Sequence, residues 1–294
     1  MAETDNRLPV EDALPALMQA LGGAGAAVLV APPGAGKTTR VPLALMAAPW
    51  RGDGRLIVLE PRRLAARAAA ARMAESLGEP VGRTVGFRVR GEARVSAATR
   101  IEIVTEGVFT RLIVDDPALE GVAGVLFDEA HERSLDGDLG LALALEAREA
   151  LRPDLRLVVM SATIDAARFS TLIGDAPVVE SAGRMFPVET RHRPRPPGGR
   201  IEEAMAAAVS DALAGEAGSV LAFLPGQAEI LRTAERLQGR LPADTDLAPL
   251  YGALDGRAQE AAIRPAPAGR RKVVLATAIA ETSLTIEGVR IVID

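Results

Sequence analysis

The stretch that most constrains this chain is a short apolar segment, residues 27–30, that runs into APPGAGKTT at residues 31–39 and then a helical pattern over 38–46. A buried strand that breaks into small residues and resumes as a helix is the setting of a phosphate-binding loop. Gly34 and Gly36 let backbone amides curl around an anion with no Cβ in the way. Pro33, Ala35 and Thr39 complete the turn, and the helix start adds its dipole. Lys37 is placed to reach the β- and γ-phosphates and the Thr38 hydroxyl to ligate Mg2+, so ATP and Mg2+ are the expected cofactors. Such loops usually open on glycine. Ala31 stands there instead, and its methyl group leaves the loop viable.

Further apolar runs recur along the chain. Strands are expected at 56–59, 101–104, 122–127, 156–160 and 177–180, then at 219–223, 247–251, 272–276 and 289–293. Helical patterns lie between them, at 65–77, 139–151, 201–213 and 228–237, where Ile201, Met205, Val209 and Leu213 mark one apolar face. Continuously apolar strands alternating with helices predict an α/β fold with parallel sheets covered on both faces. With 294 residues, two domains are expected, 1–182 and 183–294, with the boundary near Ser181–Pro187 and the Pro- and Gly-rich run RHRPRPPGGR at 191–200 a loop just beyond it. The second is expected to be incomplete, because it ends directly after a strand with no covering helix. No apolar run approaches ~18 residues and no secretory pattern opens the chain, so a cytoplasmic protein is expected. The absence of cysteine rules out disulfides and thiolate metal sites, and two histidines leave little for a zinc site. A net charge of −5 argues against gripping nucleic acid by bulk charge, though not against a narrow channel with a few arginines.

The expected strand 122–127 ends in Asp128-Glu129-Ala130-His131. Acids at the carboxyl end of a buried parallel strand stand where doubly wound folds bind ligands. Asp128 is expected to hold Mg2+ through water, and Glu129 to orient and deprotonate the attacking water. His131 joins them as a catalytic candidate by its place in the box; alone it would read as a packed or surface histidine.

At these residues the chain resembles the DEAH/RHA group of superfamily 2 helicases. DEAHER occupies 128–133, and EPRR (60–63), TEG (105–107), SAT (161–163), GRMFPV (183–188), FLPG (223–226), LYGAL (250–254) and ATAIAETSLTI (276–286) follow the family's order. The phosphate loop and the stretch from Tyr251 to Thr277 look closest to bacterial HrpB-type members. The resemblance implies two tandem RecA-like domains and an ATP-dependent RNA helicase that moves 3′-to-5′ along single-stranded RNA as a monomer. It implies backbone contacts from Arg62, Arg63, Thr105, Glu106, Gly107, Pro225, Gly226 and Thr277. Arg62 and Arg63 can neutralise phosphates, although a solvated helix start explains them as well. Ser161 and Thr163, beside the nucleotide, would hydrogen-bond the acidic box and link the ATP site to the channel; a cap for the next helix explains them as well, and the two roles are compatible. Arg72 would lie against adenine, or be an ordinary exposed arginine.

Three departures from the family stand out. Ile263 replaces a common stacking phenylalanine, Ala278 replaces a common asparagine, and the arginine-rich QRxGRxGR motif is not among the 294 residues. Arginines of that kind contribute about 10³–10⁵ in rate, so weak turnover by this chain is expected. Two other classes stay open: an ATPase acting on something other than nucleic acid, and a nucleotide-dependent RNA-binding module without turnover.

Overall fold

A computed structural model describes residues 7–162, 165–183, 187–194, 198–281 and 286–294. The elements in chain order are α1 (Leu14–Gly23), β1 (Ala26–Val30), α2 (Lys37–Leu45), β2 (Arg55–Glu60), α3 (Arg63–Ser76), β3 (Val85–Val89), β4 (Glu92–Arg94), β5 (Ile101–Thr105), α4 (Glu106–Asp115), β6 (Val122–Phe127), α5 (Leu135–Ala150), β7 (Arg156–Ser161), α6 (Ala166–Leu172) and β8 (Val178–Glu180). They continue with α7 (Ile201–Gly215), β9 (Ser219–Phe223), α8 (Gln227–Leu237), β10 (Thr245–Leu250), α9 (Gly256–Ile263), β11 (Arg271–Ala276) and β12 (Val289–Ile293). The chain divides into two compact units, Met1–Phe186 and Pro187–Asp294. The division falls a few residues beyond the 182/183 boundary expected above.

The first unit is an eight-stranded sheet in the order β4-β3-β5-β2-β6-β7-β1-β8. Its central strands are runs of Val, Ile and Leu buried on both sides; all six residues of β6 are buried. Alternate residues feed two separate cores. Ala27 and Leu29 of β1 join Leu17, Val41, Ala66 and Met73, so α1, α2 and α3 cover one face. Ala26 and Val28 join Phe109, Leu141, Ala144 and Phe169, so α4, α5 and α6 cover the other. This is the period-2 alternation of a strand placed in a sheet with two apolar faces.

The sheet is parallel except at one edge. β3 and β4 form an antiparallel hairpin at one edge, Val89 pairing Glu92 across Arg90 and Gly91. Two linking residues cannot make a parallel crossover, so the strand must fold back. Gly91, at φ 81°, supplies the turn.

The second unit holds four parallel strands in the order β10-β11-β9-β12. Met205, Val209 and Leu213 of α7 and Ile230 and Leu237 of α8 pack with β9 and β11 in one core. Arg271, at the start of β11, spreads its guanidinium over the carbonyls of Leu213, Glu216 and Gly218 at 2.7–2.8 Å, closing the end of α7.

Candidate active site

Because β5, β2, β6, β7 and β1 are neighbours and mutually parallel, their carboxyl ends emerge on one edge of the first unit. In spatial order that edge carries Thr105-Glu106-Gly107, then Arg62-Arg63, then the acidic box, then Ser161, then the phosphate loop. Sequence separation is large, but the register is tight: Val30 pairs Ser161, Phe127 pairs Val159 and Glu60 pairs Thr105.

The phosphate loop takes the backbone its glycines allow. Gly34 and Gly36 sit at φ 76° and 94°, in the left-handed region. Gly36 precedes α2, and no side chain caps that helix start, so the first-turn amides of Lys37 and Thr38 face the loop. Lys37 is 4% exposed, and its ammonium donates to the carbonyls of Ala31 (2.6 Å) and Pro32 (3.3 Å). Thr38 Oγ1 donates to Asp128 Oδ2 at 2.5 Å across 90 residues of sequence.

One hydroxyl and one carboxylate fit Mg2+, which keeps water and substrate phosphates as its other ligands. Among the described residues no group of three or more His, Asp or Glu side chains forms a protein cage. The glycine-lined cradle and its open amides fit a nucleotide phosphate.

The acidic box is buried at Asp128 and half-buried from Glu129 to His131, and its backbone is unusual. Asp128 is 3% exposed, its amide donating to Leu59 O at 3.1 Å and its Oδ1 accepting from Glu129 N at 2.9 Å. Burial pushes its pKa up, opposed by the Thr38 hydrogen bond and the Lys37 charge. Glu129 adopts φ 50° and leads into a 3-10 turn, Ala130–Glu132. Burial first, and Asp128 next, push the Glu129 carboxyl up to about 7, the range suited to a group that takes and gives a proton at neutral pH. His131 Nδ1 lies 3.4 Å from both Glu129 Oε2 and the amide of Ala162, joining the box to the residue after Ser161. Glu132 Oε2 is 3.8 Å from Arg62 Nη2, joining the box to the other neighbour strand.

The remaining expected residues take varied positions. Arg62 and Arg63 begin α3, and Thr105 and Gly107 flank the start of α4. Glu106 accepts a hydrogen bond from Ser134, and burial raises its pKa. Ser161 is fully buried, with its carbonyl accepting from Ala31 N at 3.1 Å. Arg72 is exposed on α3, about 14 Å along the helix from Arg63. Thr163 lies outside the described residues, as do 184–186 and 282–285 of the motif stretches. In the second unit Pro225 and Gly226 follow β9, and Thr277 follows β11, its amide donating to Leu250 O at 3.2 Å. Those strands are parallel neighbours, so these residues share one sheet edge.

Several supporting residues escaped sequence reasoning. Val10 N donates to Ala35 O at 3.1 Å, and a Cβ on Gly36 would meet Leu8 at 2.7 Å, so residues 8–10 back the loop. Ser134 caps α5, accepting from Gly137 N at 2.9 Å. Gly183 presses on Pro32 so closely that a Cβ would fall 1.9 Å from its Cγ. Only Ser134, a capping residue before a helical run, carries a local signal.

Comparison with known proteins identifies the family. The profile of the DEAD/DEAH box helicases matches residues 11–170, and that of the helicase conserved C-terminal domain matches 204–294. The chain is 54% identical over 287 residues to the ATP-dependent RNA helicase HrpB of Escherichia coli (strain K12), covering 98% of this chain and 35% of that protein. It is 37% identical over 301 residues to the pre-mRNA-splicing factor ATP-dependent RNA helicase prp22 of Schizosaccharomyces pombe, covering 100% and 26%. The chain therefore spans about a third or less of these relatives' length. The crystal structure of the E. coli DEAH/RHA helicase HrpB superposes with a TM-score of 0.88 at 54% identity, covering 97% of this chain and 36% of that one.

Proposed function

Since the chain belongs to the DEAD/DEAH box helicase family, we propose that it is the motor of an ATP-dependent RNA helicase, hydrolysing ATP to move 3′-to-5′ along single-stranded RNA. The observation that carries this is the order of strand ends along one edge: nucleotide-binding groups at β1 and β6, candidate strand contacts at β2 and β5. His131 and Glu132 reach from the box to the residues on either side of it. An ATPase acting on something other than nucleic acid does not account for Arg63, Thr105 and Gly107 standing on the same edge as the nucleotide-binding groups.

Lys37 and the loop amides bind the phosphates, while Thr38 and Asp128 hold Mg2+. Glu129 orients a water and takes its proton. Bound Mg-ATP supplies the phosphoanhydride and the charge neutralisation that make the terminal phosphoryl group transferable. Arg62, Arg63, Thr105 and Gly107, with Pro225, Gly226 and Thr277 in the second unit, hold the RNA backbone. Among the described residues no helix is long and apolar enough to cross a membrane, and the chain acts as a cytoplasmic monomer.

Steady-state ATP hydrolysis with and without single-stranded RNA tests this. Slow turnover that RNA accelerates is expected, falling to background in Lys37→Ala and by about 10²–10⁴ in Glu129→Gln. Turnover that survives both substitutions would place the chemistry elsewhere. Nucleotide binding without any turnover would make the chain an RNA-binding module.

A further inference from the structure

We propose that Glu106 is a positioning residue and not an RNA ligand: through it α4 ties the Thr105–Gly107 backbone to both ends of the acidic box, so that RNA engagement and ATP binding feel one another. The inference rests on the functional reading above.

Helix α4 begins with Glu106 and touches the box on either side. Behind it, Phe109 is fully buried and meets Phe127 edge-on, ring centroids 5.8 Å apart at 89°, and Phe127 is the residue before Asp128. Ahead of it, Ser134 Oγ donates to Glu106 Oε2 at 2.5 Å while accepting from Gly137 N, so the carboxylate fixes the cap of α5, the helix that follows the box. Thr110 Oγ1 adds contacts of 3.1 Å to Glu106 O and 3.3 Å to Asp136 O.

The two helices have no slack. A Cβ on Gly137 would fall 2.6 Å from Glu106 Oε1, one on Gly140 would fall 3.0 Å from Phe109 Cδ1, and one on Gly107 would fall 3.2 Å from Asp136 Oδ2. Between Glu106, Ser134, Asp128 and Glu129 lies a cavity of about 20 Å³, room for one water. A carboxylate engaged in this way, with Asp136 and Asp138 close by, repels a phosphate backbone rather than binding it. Thr105 and Gly107 stay available to the strand, and a shift of the first turn of α4 is passed to Phe127 and Ser134 together. Linkage then requires that nucleotide change RNA affinity by the same factor as RNA changes nucleotide affinity.

The test uses this chain and a labelled oligouridylate, with anisotropy read without nucleotide and with Mg2+ plus a non-hydrolysable ATP analogue. The wild-type chain is expected to show a ratio of RNA affinities in the roughly 5–150-fold range of allosteric coupling. Glu106→Ala and Ser134→Ala should bring that ratio to within about twofold of unity and leave nucleotide-free RNA affinity within about twofold of wild type. Ser134→Thr, which keeps the hydroxyl, should retain the coupling. Phe109→Leu, a milder trim of the opposite contact, should lower the coupling and not the RNA affinity, and it serves should an alanine variant fail to fold.

Equal loss of RNA affinity with and without nucleotide in Glu106→Ala would make Glu106 a ligand and overturn the inference. Full coupling in both alanine variants would also overturn it. A wild-type chain that binds no RNA would remove the proposed function first, and this inference with it, before any variant is compared.

Discussion

Replacing Gly183 with alanine probes a contact that neither nucleotide nor RNA makes. The added Cβ would lie 1.9 Å from Pro32 Cγ and 2.8 Å from its Cδ. Carbon atoms settle at about 3.5–4.0 Å, so the ring or the glycine must move by about 1.5 Å or more. A flexible side chain could turn away, but a pyrrolidine ring in the Pro32-Pro33 pair has no rotamer to change. The displacement must therefore pass into the loop backbone, where Pro32 O receives both Ala35 N and the Lys37 ammonium. Overpacking of this sort costs about 1–3 kcal/mol, or roughly 2–12 °C in the melting of a unit this size. If half of the strain is borne by the nucleotide-binding conformation, affinity falls about tenfold for each ~1.4 kcal/mol. Thermal unfolding and titration with a fluorescent ADP analogue read the two effects. Gly22→Ala is the control, since a Cβ there meets nothing within 4 Å and α1 gains helix propensity. A Gly183→Ala chain with wild-type melting and wild-type nucleotide affinity would refute the reasoning.

Three further outcomes are expected. Arg271→Ala removes three hydrogen bonds from a charged donor to the carbonyls that close α7, and should destabilise the second unit by about 2–3 kcal/mol, lowering its urea midpoint. An unchanged midpoint would show that water serves those carbonyls as well. Arg62→Ala and Arg63→Ala should each reduce the slope of log RNA affinity against log salt by about 0.7, the value per phosphate on a single strand, with Arg62 giving less because Glu132 already pairs with it. A slope that does not move would remove them from the RNA path. Glu129→Gln should stabilise the chain at pH 8 in the absence of Mg2+ and nucleotide. The sign follows from a folded pKa of about 7 against 4.5 unfolded: the protonated form stabilises the fold below about 4.5, and that contribution is lost as pH rises through 7. The gain over wild type should reach about 1–3 kcal/mol at pH 8 and vanish near pH 4, read by chemical unfolding at both.

What could be read from the sequence was what local pattern encodes. Residues 31–39 declare themselves because that glycine spacing between a strand and a helix has few other uses, and 128–131 because the acids end a buried strand downstream of such a loop, where alone they would suit a surface turn. The buried strands declare themselves because both faces are apolar. The edge hairpin β3–β4 did not, since Arg88 breaks the continuous apolar run that marks a strand buried on both faces, and β4 has three residues. Helix α4 is also hard to read locally: its ten residues bury only Phe109 and Ile113, four apart on one face. Gly183 on Pro32 and Glu106 on Ser134 join residues 151 and 28 positions apart. No periodicity reports such pairs; they exist only once the sheet order has been chosen.

That order also accounts for the unusual backbone of the box. Phe127 is held from one side by β7 and Phe109, and Ser134 from the other by Glu106 and the cap of α5. Six residues, 128–133, must bridge two fixed points and still deliver Asp128 to Thr38, His131 to Ala162 and Glu132 to Arg62. A 3-10 turn bracketed by Glu129 at φ 50° and Arg133 at φ 53° satisfies all of these, at about 1–2 kcal/mol for each left-handed residue. The same geometry buries Glu129 beside Asp128, which disfavours its charge and raises its pKa toward 7. Strain and desolvation at the box therefore have one origin. A relaxed box would need slack at Ser134 or Phe127, and slack there would uncouple α4 from the chemistry it is positioned to feel.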